Sequence, residues 1–157
     1  MYKHILVSTD GSELSNRAVE YAAALAKAVG AKLTALTVTT PYYGSAVEPE
    51  LVMVGIDDYR KRTAKVAASY LEVAKDIAAA AQVPCEAVQI EHPQPYQAII
   101  DAAKERGCDL IVMASHGRRG VAAIVLGSET TKVLTHSTIP VLVVRAKMDP
   151  LAFLKGS

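Results

Sequence analysis

Residues 109–134, DLIVMASHGRRGVAAIVLGSETTKVL, carry the most informative pattern of the chain. The stretch begins with an apolar run at residues 110–113, too short for a buried helix and too continuous for a strand with one face in water. This run predicts a strand covered on both faces. A polar loop follows, and Ser128 after Gly127 suits the N-cap of a helix running through Leu134.

A strand, a glycine-bearing loop and a helix in this order suit an anion-binding site. The first N–H groups of a helix lack acceptors and carry the positive end of the helix dipole, which favours phosphate. Glycine lets a phosphate approach the backbone closely, and Gly117, Gly120 and Gly127 lie along this loop. The sequence therefore predicts a phosphate site here, while an ordinary loop shaped by glycines remains the alternative.

Length and charge narrow the possible classes of protein. At 157 residues the chain has the size of one domain with a substantial core. We assign residues 1–147 to that domain and residues 148–157 to a short C-terminal tail. A formal net charge of +1 gives no electrostatic reason to expect a nucleic-acid or membrane partner.

The cysteines and the absence of targeting signals indicate the compartment. Cys85 and Cys108 form neither a metal-ligand spacing nor a CxxC motif, and both suit small buried positions. No run approaches the ~18 apolar residues of a transmembrane helix. Residues 4–8 already have the pattern of a strand, so we expect no signal peptide and a cytoplasmic, reducing setting.

Apolar strand patterns alternate with helical patterns along the whole chain. The strand patterns lie at residues 4–8, 33–38, 85–90, 110–113 and 141–144. This alternation predicts an α/β fold, a doubly wound five-stranded parallel sheet of order 3-2-1-4-5 with four helices. Ligands bind such sheets at the carboxyl ends of the strands, where the strand order reverses. That point lies between the first and fourth strands, which brings Asp10 and residues 115–117 to one crevice.

The sequence also makes predictions for a loop, a long helix and the last strand. Residues 39–55 show no hydrophobic periodicity of a helix or a strand, so we expect a long loop there. This loop is either a lid over the strand ends or a disordered surface loop. A helix should follow from about Asp57 to Ala81, with Val66, Tyr70, Val73 and Ile77 on its apolar face. The last strand, residues 140–145, is continuously apolar although it lies at a sheet edge, and it predicts a homodimer through Pro140 to Arg145.

The chain resembles the single-domain members of the universal stress protein family, from YKHILVSTDGSE at residues 2–13 to STIPVLVVR at residues 137–145. The ATP-binding branch of that family carries glycine, two residues, glycine, nine residues, then glycine with serine or threonine. Gly117, Gly127 and Ser128 match this pattern, whereas Ala114 stands in place of the first glycine. The resemblance implies a Rossmann-like fold of the adenine nucleotide alpha hydrolase type in a stress-response protein.

The resemblance also implies roles for individual residues. Asp10 would hold the ribose or adenine side, and the backbone of Val38 would meet the adenine. Ser128 and the Glu129 amide would donate to the phosphates, and the Glu129 carboxylate would have to point outward to avoid repelling them. ATP would bind with Mg²⁺ or Mn²⁺ held chiefly by phosphate oxygens. The candidate nucleotide-binding residues are Ser8, Thr9, Asp10, Val38, Ala114, His116, Gly117, Arg118, Gly127, Ser128 and Glu129.

Motifs of catalysis are missing from the sequence. The Walker pattern, the GxSxG elbow and the GxGxxG dinucleotide pattern are all absent. We therefore assign no catalytic residue and expect ATP binding with slow or no hydrolysis. One alternative is a dimeric stress-response interaction module that binds no nucleotide, which Ala114 favours. Another is an enzyme that hydrolyses ATP or transfers a nucleotidyl group.

Overall fold

The computed structural model describes residues 1–42, 49–117 and 126–146, and for residues 49–54 it describes the backbone alone. Strands and helices alternate strictly in this part of the chain. In order they are β1 (His4–Ser8), α1 (Glu13–Val29), β2 (Lys32–Thr39), α2 (Pro49–Ala80), β3 (Cys85–Glu91), α3 (Pro95–Glu105), β4 (Leu110–Ala114), α4 (Ser128–His136) and β5 (Val141–Val144). Spanning a membrane would need a longer or more apolar helix than any of these.

The five strands form one parallel sheet of order β3-β2-β1-β4-β5, which confirms the predicted topology. In the centre of the sheet, Val7 of β1 pairs with Ala35 of β2 on one side and with Val112 of β4 on the other. The strand order reverses between β1 and β4. Their carboxyl ends therefore open a crevice at this edge of the sheet, where doubly wound proteins bind ligands.

Helices cover both faces of the sheet. On one face, α1 and α2 pack over inward side chains such as Ile5, Val7 and Val112. On the other face, α3 and α4 pack over Leu6 and Ile111. Successive side chains of a strand point to opposite faces, so neighbouring residues of β1 and β4 enter different cores. All five residues of β4 are buried, which confirms the strand predicted to be covered on both faces.

The first helix begins and ends at residues that are typical of helix caps. Ser12 is its N-cap, and its hydroxyl accepts a hydrogen bond from the Ser15 N–H at 3.2 Å. Gly30 is its C-cap with a φ of 73°, in the left-handed region that glycine adopts without strain.

The second helix differs from its prediction in two respects. It begins at Pro49 rather than Asp57, because proline fits the first turn of a helix and the helix continues through Gly55. Of its predicted apolar face, Tyr70 and Ile77 are half-buried, but the fully buried side lies one residue further along the chain. Val66 and Val73 are 47% and 42% exposed. The side chains that pack against the sheet are Ala67, Leu71, Ala74 and Ala78.

The long loop predicted for residues 39–55 is correspondingly shorter. β2 extends to Thr39 and α2 begins at Pro49, so the segment between them runs over residues 40–48. Residues 43–48, on which the lid hypothesis falls, lie outside the described residues, as does the tail after residue 146.

Candidate functional site

The turn after β1, residues 9–12, forms the first part of the site. The buried hydroxyl of Thr9 accepts from the Gly11 N–H at 3.1 Å. Asp10 Oδ1 accepts from the Ser12 N–H at 3.0 Å. Gly11 has a φ of 75°, in the left-handed region that favours glycine. The Thr9 hydroxyl is thus hydrogen-bonded within the turn, and the Asp10 carboxylate is held at the carboxyl end of β1.

The loop after β4 meets this turn across the crevice. A Cβ placed on Gly117 would lie 2.5 Å from Oδ2 of Asp10, so the carboxylate lies directly against the loop backbone. His116 is half-buried, and its Nδ1 lies 3.2 Å from the Ser115 hydroxyl oxygen. The two turns therefore meet, as the predicted strand order requires. Arg118 lies outside the described residues.

The start of α4 forms the third part of the site, and here the predicted cap is wrong by one residue. The N-cap is Gly127, in extended conformation and without a side-chain cap, and Ser128 is the first helical residue. The backbone of Gly127 explains this start, because its N–H donates to the Ser115 carbonyl at 2.7 Å. The Thr131 N–H makes the first helical bond, to the Gly127 carbonyl at 3.0 Å.

Close packing also restricts position 127. A Cβ there would lie 3.2 Å from the His116 Cα and 3.4 Å from the Ser115 carbonyl oxygen, both backbone atoms. In the first turn of α4, the N–H groups of residues 128–130 precede the first helical bond, so the helix gives them no acceptor. This end of α4 is chemically suited to an anion.

The Glu129 carboxylate points away from this helix terminus. Its Oε2 accepts from the Tyr96 N–H in the first turn of α3 at 2.8 Å, and its Oε1 lies 3.6 Å from the Lys132 ammonium. The N-cap of α3, Gln94, makes no side-chain capping bond. The negative charge of Glu129 therefore serves the N-terminus of α3, and the outward orientation required of this residue is present.

Ala114, which stands in place of a motif glycine, causes no backbone strain. It is the last residue of β4, in extended conformation, and it is buried. Its carbonyl accepts from the buried hydroxyl of Thr130 at 2.9 Å, which ties β4 to α4. Because a strand conformation is open to alanine, this position does not need the conformational freedom of glycine.

The end of β2 presents backbone groups toward the crevice. The Leu36 carbonyl accepts from the Thr9 N–H on the β1 side of the strand at 2.9 Å. In a parallel ladder, alternate residues direct their N–H and C=O groups to opposite neighbours, so those of Val38 point to the same side as those of Leu36. The β1–β2 pairing ends at Ser8 and Leu36. Val38 thus lies two residues beyond the place where β1 turns away, and Ser8 itself is a half-buried strand residue.

A cavity of about 560 Å³ lies beside this end of β2, between the strand and α2. Its lining residues are Asp10, Thr37, Val38, Thr39, Thr40, Tyr59, Arg62, Thr63, Val66, Ala67 and Tyr70. Asp10 and Val38 were predicted from the sequence, whereas the α2 residues were not. The signal that indicates them is a helical stripe, since Tyr59, Thr63 and Tyr70 recur at intervals of four and seven residues.

These features define a doubly wound α/β protein with an anion-suited loop and a cavity at the switch point of its sheet. The Universal stress protein family model matches residues 1–145, and the chain belongs to that family. Universal stress protein YxiE of Bacillus subtilis is 37% identical over 152 residues, covering 92% of this chain and all of that relative. A universal stress protein of Thermus aquaticus is 34% identical over 148 residues, with 92% of this chain and 100% of that relative covered.

Solved structures show the same fold. Protein MJ0577 of Methanocaldococcus jannaschii superimposes with a TM-score of 0.79 at 28% identity, covering 95% of this chain and 99% of that one. A universal stress protein solved in complex with cAMP superimposes with a TM-score of 0.66 at 29% identity, covering 92% and 97% of the two chains.

Proposed function

We propose that this universal stress protein binds ATP, with Mg²⁺ or Mn²⁺, at the carboxyl ends of β1, β2 and β4. In this proposal it acts as a homodimeric stress-response regulator and hydrolyses ATP slowly or not at all. The observation that carries the proposal is the position of the Asp10 carboxylate. It lies against Gly117 on one side and lines the cavity on the other. The Asp10 carboxylate therefore lies between a cavity large enough for a nucleoside and a loop suited to bind an anion.

The phosphate half of the proposed site is the N-terminus of α4. Gly127 brings the 115–116 backbone and the helix start together, and the N–H groups of residues 128–130 have no acceptor within the helix. The dipole of α4 adds a favourable potential for phosphate. The one carboxylate of this first turn, on Glu129, is engaged by α3.

The nucleoside half is the cavity beside β2. The outward N–H and C=O of Val38 suit the edge of an adenine ring, which presents both acceptors and a donor. Asp10 suits the ribose, because a carboxylate accepts hydrogen bonds from hydroxyl groups. The related universal stress protein solved with cAMP supports an adenine nucleotide as the ligand class.

The metal in this proposal is held mainly by the nucleotide. Within the described residues, no group of three or more His, Cys, Asp or Glu side chains is placed to hold a metal ion. Magnesium commonly keeps several waters and binds through phosphate oxygens, so a site without a cluster of protein ligands among the described residues is compatible with it. We assign no protein residue as a metal ligand.

The homodimer is proposed through β5. This strand lies at the edge of the sheet, and Val141, Leu142 and Val143 are only half-buried. An apolar edge of this kind is a template for a second strand, and a second copy of the chain would cover it. Sedimentation at micromolar concentration should give twice the monomer mass of 16.7 kDa.

Thermal unfolding of the nucleotide-stripped protein tests the proposal. At a ligand concentration of 100 times Kd, a ligand that binds the native state stabilises it by about 2.7 kcal/mol. For a chain of this length each kcal/mol raises the Tm by about 2–4 °C, so we expect ATP with Mg²⁺ to raise it by about 5–10 °C. GTP should have a smaller effect. No shift at millimolar ATP would reject nucleotide binding and leave the interaction module.

A further inference from the structure

The cavity has a second wall that the sequence motifs do not include. Tyr59, Thr63 and Tyr70 lie on one stripe of α2 and face the same space as Asp10. The Tyr59 hydroxyl donates to the Thr40 carbonyl at 3.0 Å, which ties this stripe to the chain just after β2. The position of α2 is thus fixed relative to the strand ends that form the proposed nucleoside half.

Tyr70 also contacts the turn after β1. The left-handed φ of Gly11 is one that other residues rarely adopt. A Cβ at Gly11 would overlap Cγ, Cδ1 and Cε1 of the Tyr70 ring. The ring therefore fills the place that a side chain on residue 11 would occupy, in direct contact with the backbone of the turn.

Polar contacts hold the same turn from other directions. The Thr9 carbonyl accepts from the Thr37 hydroxyl of β2 at 2.9 Å. The Thr9 hydroxyl lies 3.0 Å from the Ser15 hydroxyl of α1. The Tyr70 ring adds an apolar contact from α2, next to Asp10. One aromatic side chain thus joins the wall of the cavity to the turn that carries the carboxylate.

We propose that Tyr70 is a positioning residue for Asp10 and for the nucleoside half of the site, an inference that rests on the proposed function. The ring holds the Gly11 backbone, so the Asp10 carboxylate stays between the cavity and Gly117. The ligand class that depends on Tyr70 is adenosine and its 5′-phosphates. An inorganic polyphosphate, which needs only the N-terminus of α4, does not depend on it.

Binding calorimetry with two half-ligands tests this inference. Adenosine probes the cavity, and tripolyphosphate probes the start of α4. Tyr70→Ala should weaken the binding of adenosine and of ATP by about tenfold, which is the lower end of the effect of losing one hydrogen bond to a charged group. The affinity for tripolyphosphate should stay within about twofold of that of the unmodified protein. Tyr70→Phe keeps the ring carbons that contact Gly11 and should retain most of the adenosine affinity that Tyr70→Ala loses. Val73→Ala, an exposed position on the same helix, is the matched control.

Hydrogen exchange without any ligand tests positioning independently. The Gly11 and Ser12 N–H groups are hydrogen-bonded within the turn, and Tyr70→Ala should speed the exchange of both, whereas Val73→Ala should not. Unchanged exchange, or an equal loss of adenosine and tripolyphosphate, would overturn the role of Tyr70. If the unmodified protein binds neither half-ligand, the proposed function fails, and the exchange rates still decide whether Tyr70 positions the turn.

Discussion

Replacing Gly117 with alanine should disturb Asp10 on the other side of the crevice. The added Cβ lies 2.5 Å from Oδ2 of Asp10, so this oxygen has to move by about 0.9 Å to reach an ordinary contact of 3.4 Å. Oδ2 moves together with the rest of the carboxylate, whose Oδ1 now accepts from the Ser12 N–H at 3.0 Å. The substitution therefore acts through the carboxylate rather than through the loop backbone.

The size of the effect follows from two opposing contributions. A hydrogen bond to a charged group contributes about 1.5–3 kcal/mol. The φ of Gly117 lies outside the left-handed region, so alanine fits the backbone there. Alanine reduces the conformational entropy of the unfolded chain, which stabilises the folded protein by about 0.4–1 kcal/mol. We expect Gly117→Ala to lower the free energy of unfolding by about 1–2 kcal/mol.

A double-mutant cycle with Asp10→Ala, measured by urea unfolding, isolates the contact. Without the carboxylate the new Cβ loses its close contact with Oδ2, so Gly117→Ala in that background should be neutral or stabilising by about 0.4–1 kcal/mol. The difference between the two backgrounds is the coupling of the pair. An equal loss in both backgrounds would show that Gly117 is not needed because of the Asp10 carboxylate.

Two further predictions concern stability. Glu129→Ala removes the acceptor for the Tyr96 N–H at the start of α3 and should cost about 1 kcal/mol in urea unfolding, whereas Lys132→Ala should cost under about 0.5 kcal/mol because that ion pair is exposed. Similar losses in the two variants would contradict the capping role. Burial lowers the pKa of His4, and the charge of Lys32 lowers it further, so the unfolded chain binds the proton more readily. The free energy of unfolding should fall as the pH drops below the ordinary histidine value of 6.5, and His4→Gln should flatten this dependence, which an unchanged slope would disprove.

Prediction from the sequence succeeded where a local pattern decides the structure. The apolar runs at residues 4–7 and 110–113 became buried strands, and α1 begins and ends at Ser12 and Gly30, residue types that favour helix caps. It failed on α2, where hydropathy favoured Val66 and Val73 for the buried face. Helix–sheet packing instead placed Ala67 and its neighbours there, because small side chains let a helix approach a sheet closely.

In the candidate site as well, some features follow from the sequence and others depend on tertiary contacts. Gly117, Gly127 and Asp10 follow from motif spacing and strand order, since parallel strands bring their carboxyl ends to one edge. The orientation of Glu129 does not follow from spacing, because it depends on the distant N–H of Tyr96. The N-cap of α4 is likewise Gly127 rather than the predicted Ser128. The Gly127 N–H donates a hydrogen bond to the Ser115 carbonyl, a contact that no local pattern encodes.

The order of strands and helices, the glycine-bearing turns and the edge of the sheet at which they meet are encoded locally. These features depend on periodicity and backbone conformation, which are properties of neighbouring residues. The packing of Tyr70 on Gly11 and the role of α2 as a wall of the cavity arise from the folded arrangement. Contacts between residues 59 positions apart depend on how helices pack on the sheet, and side-chain shape in three dimensions decides that packing.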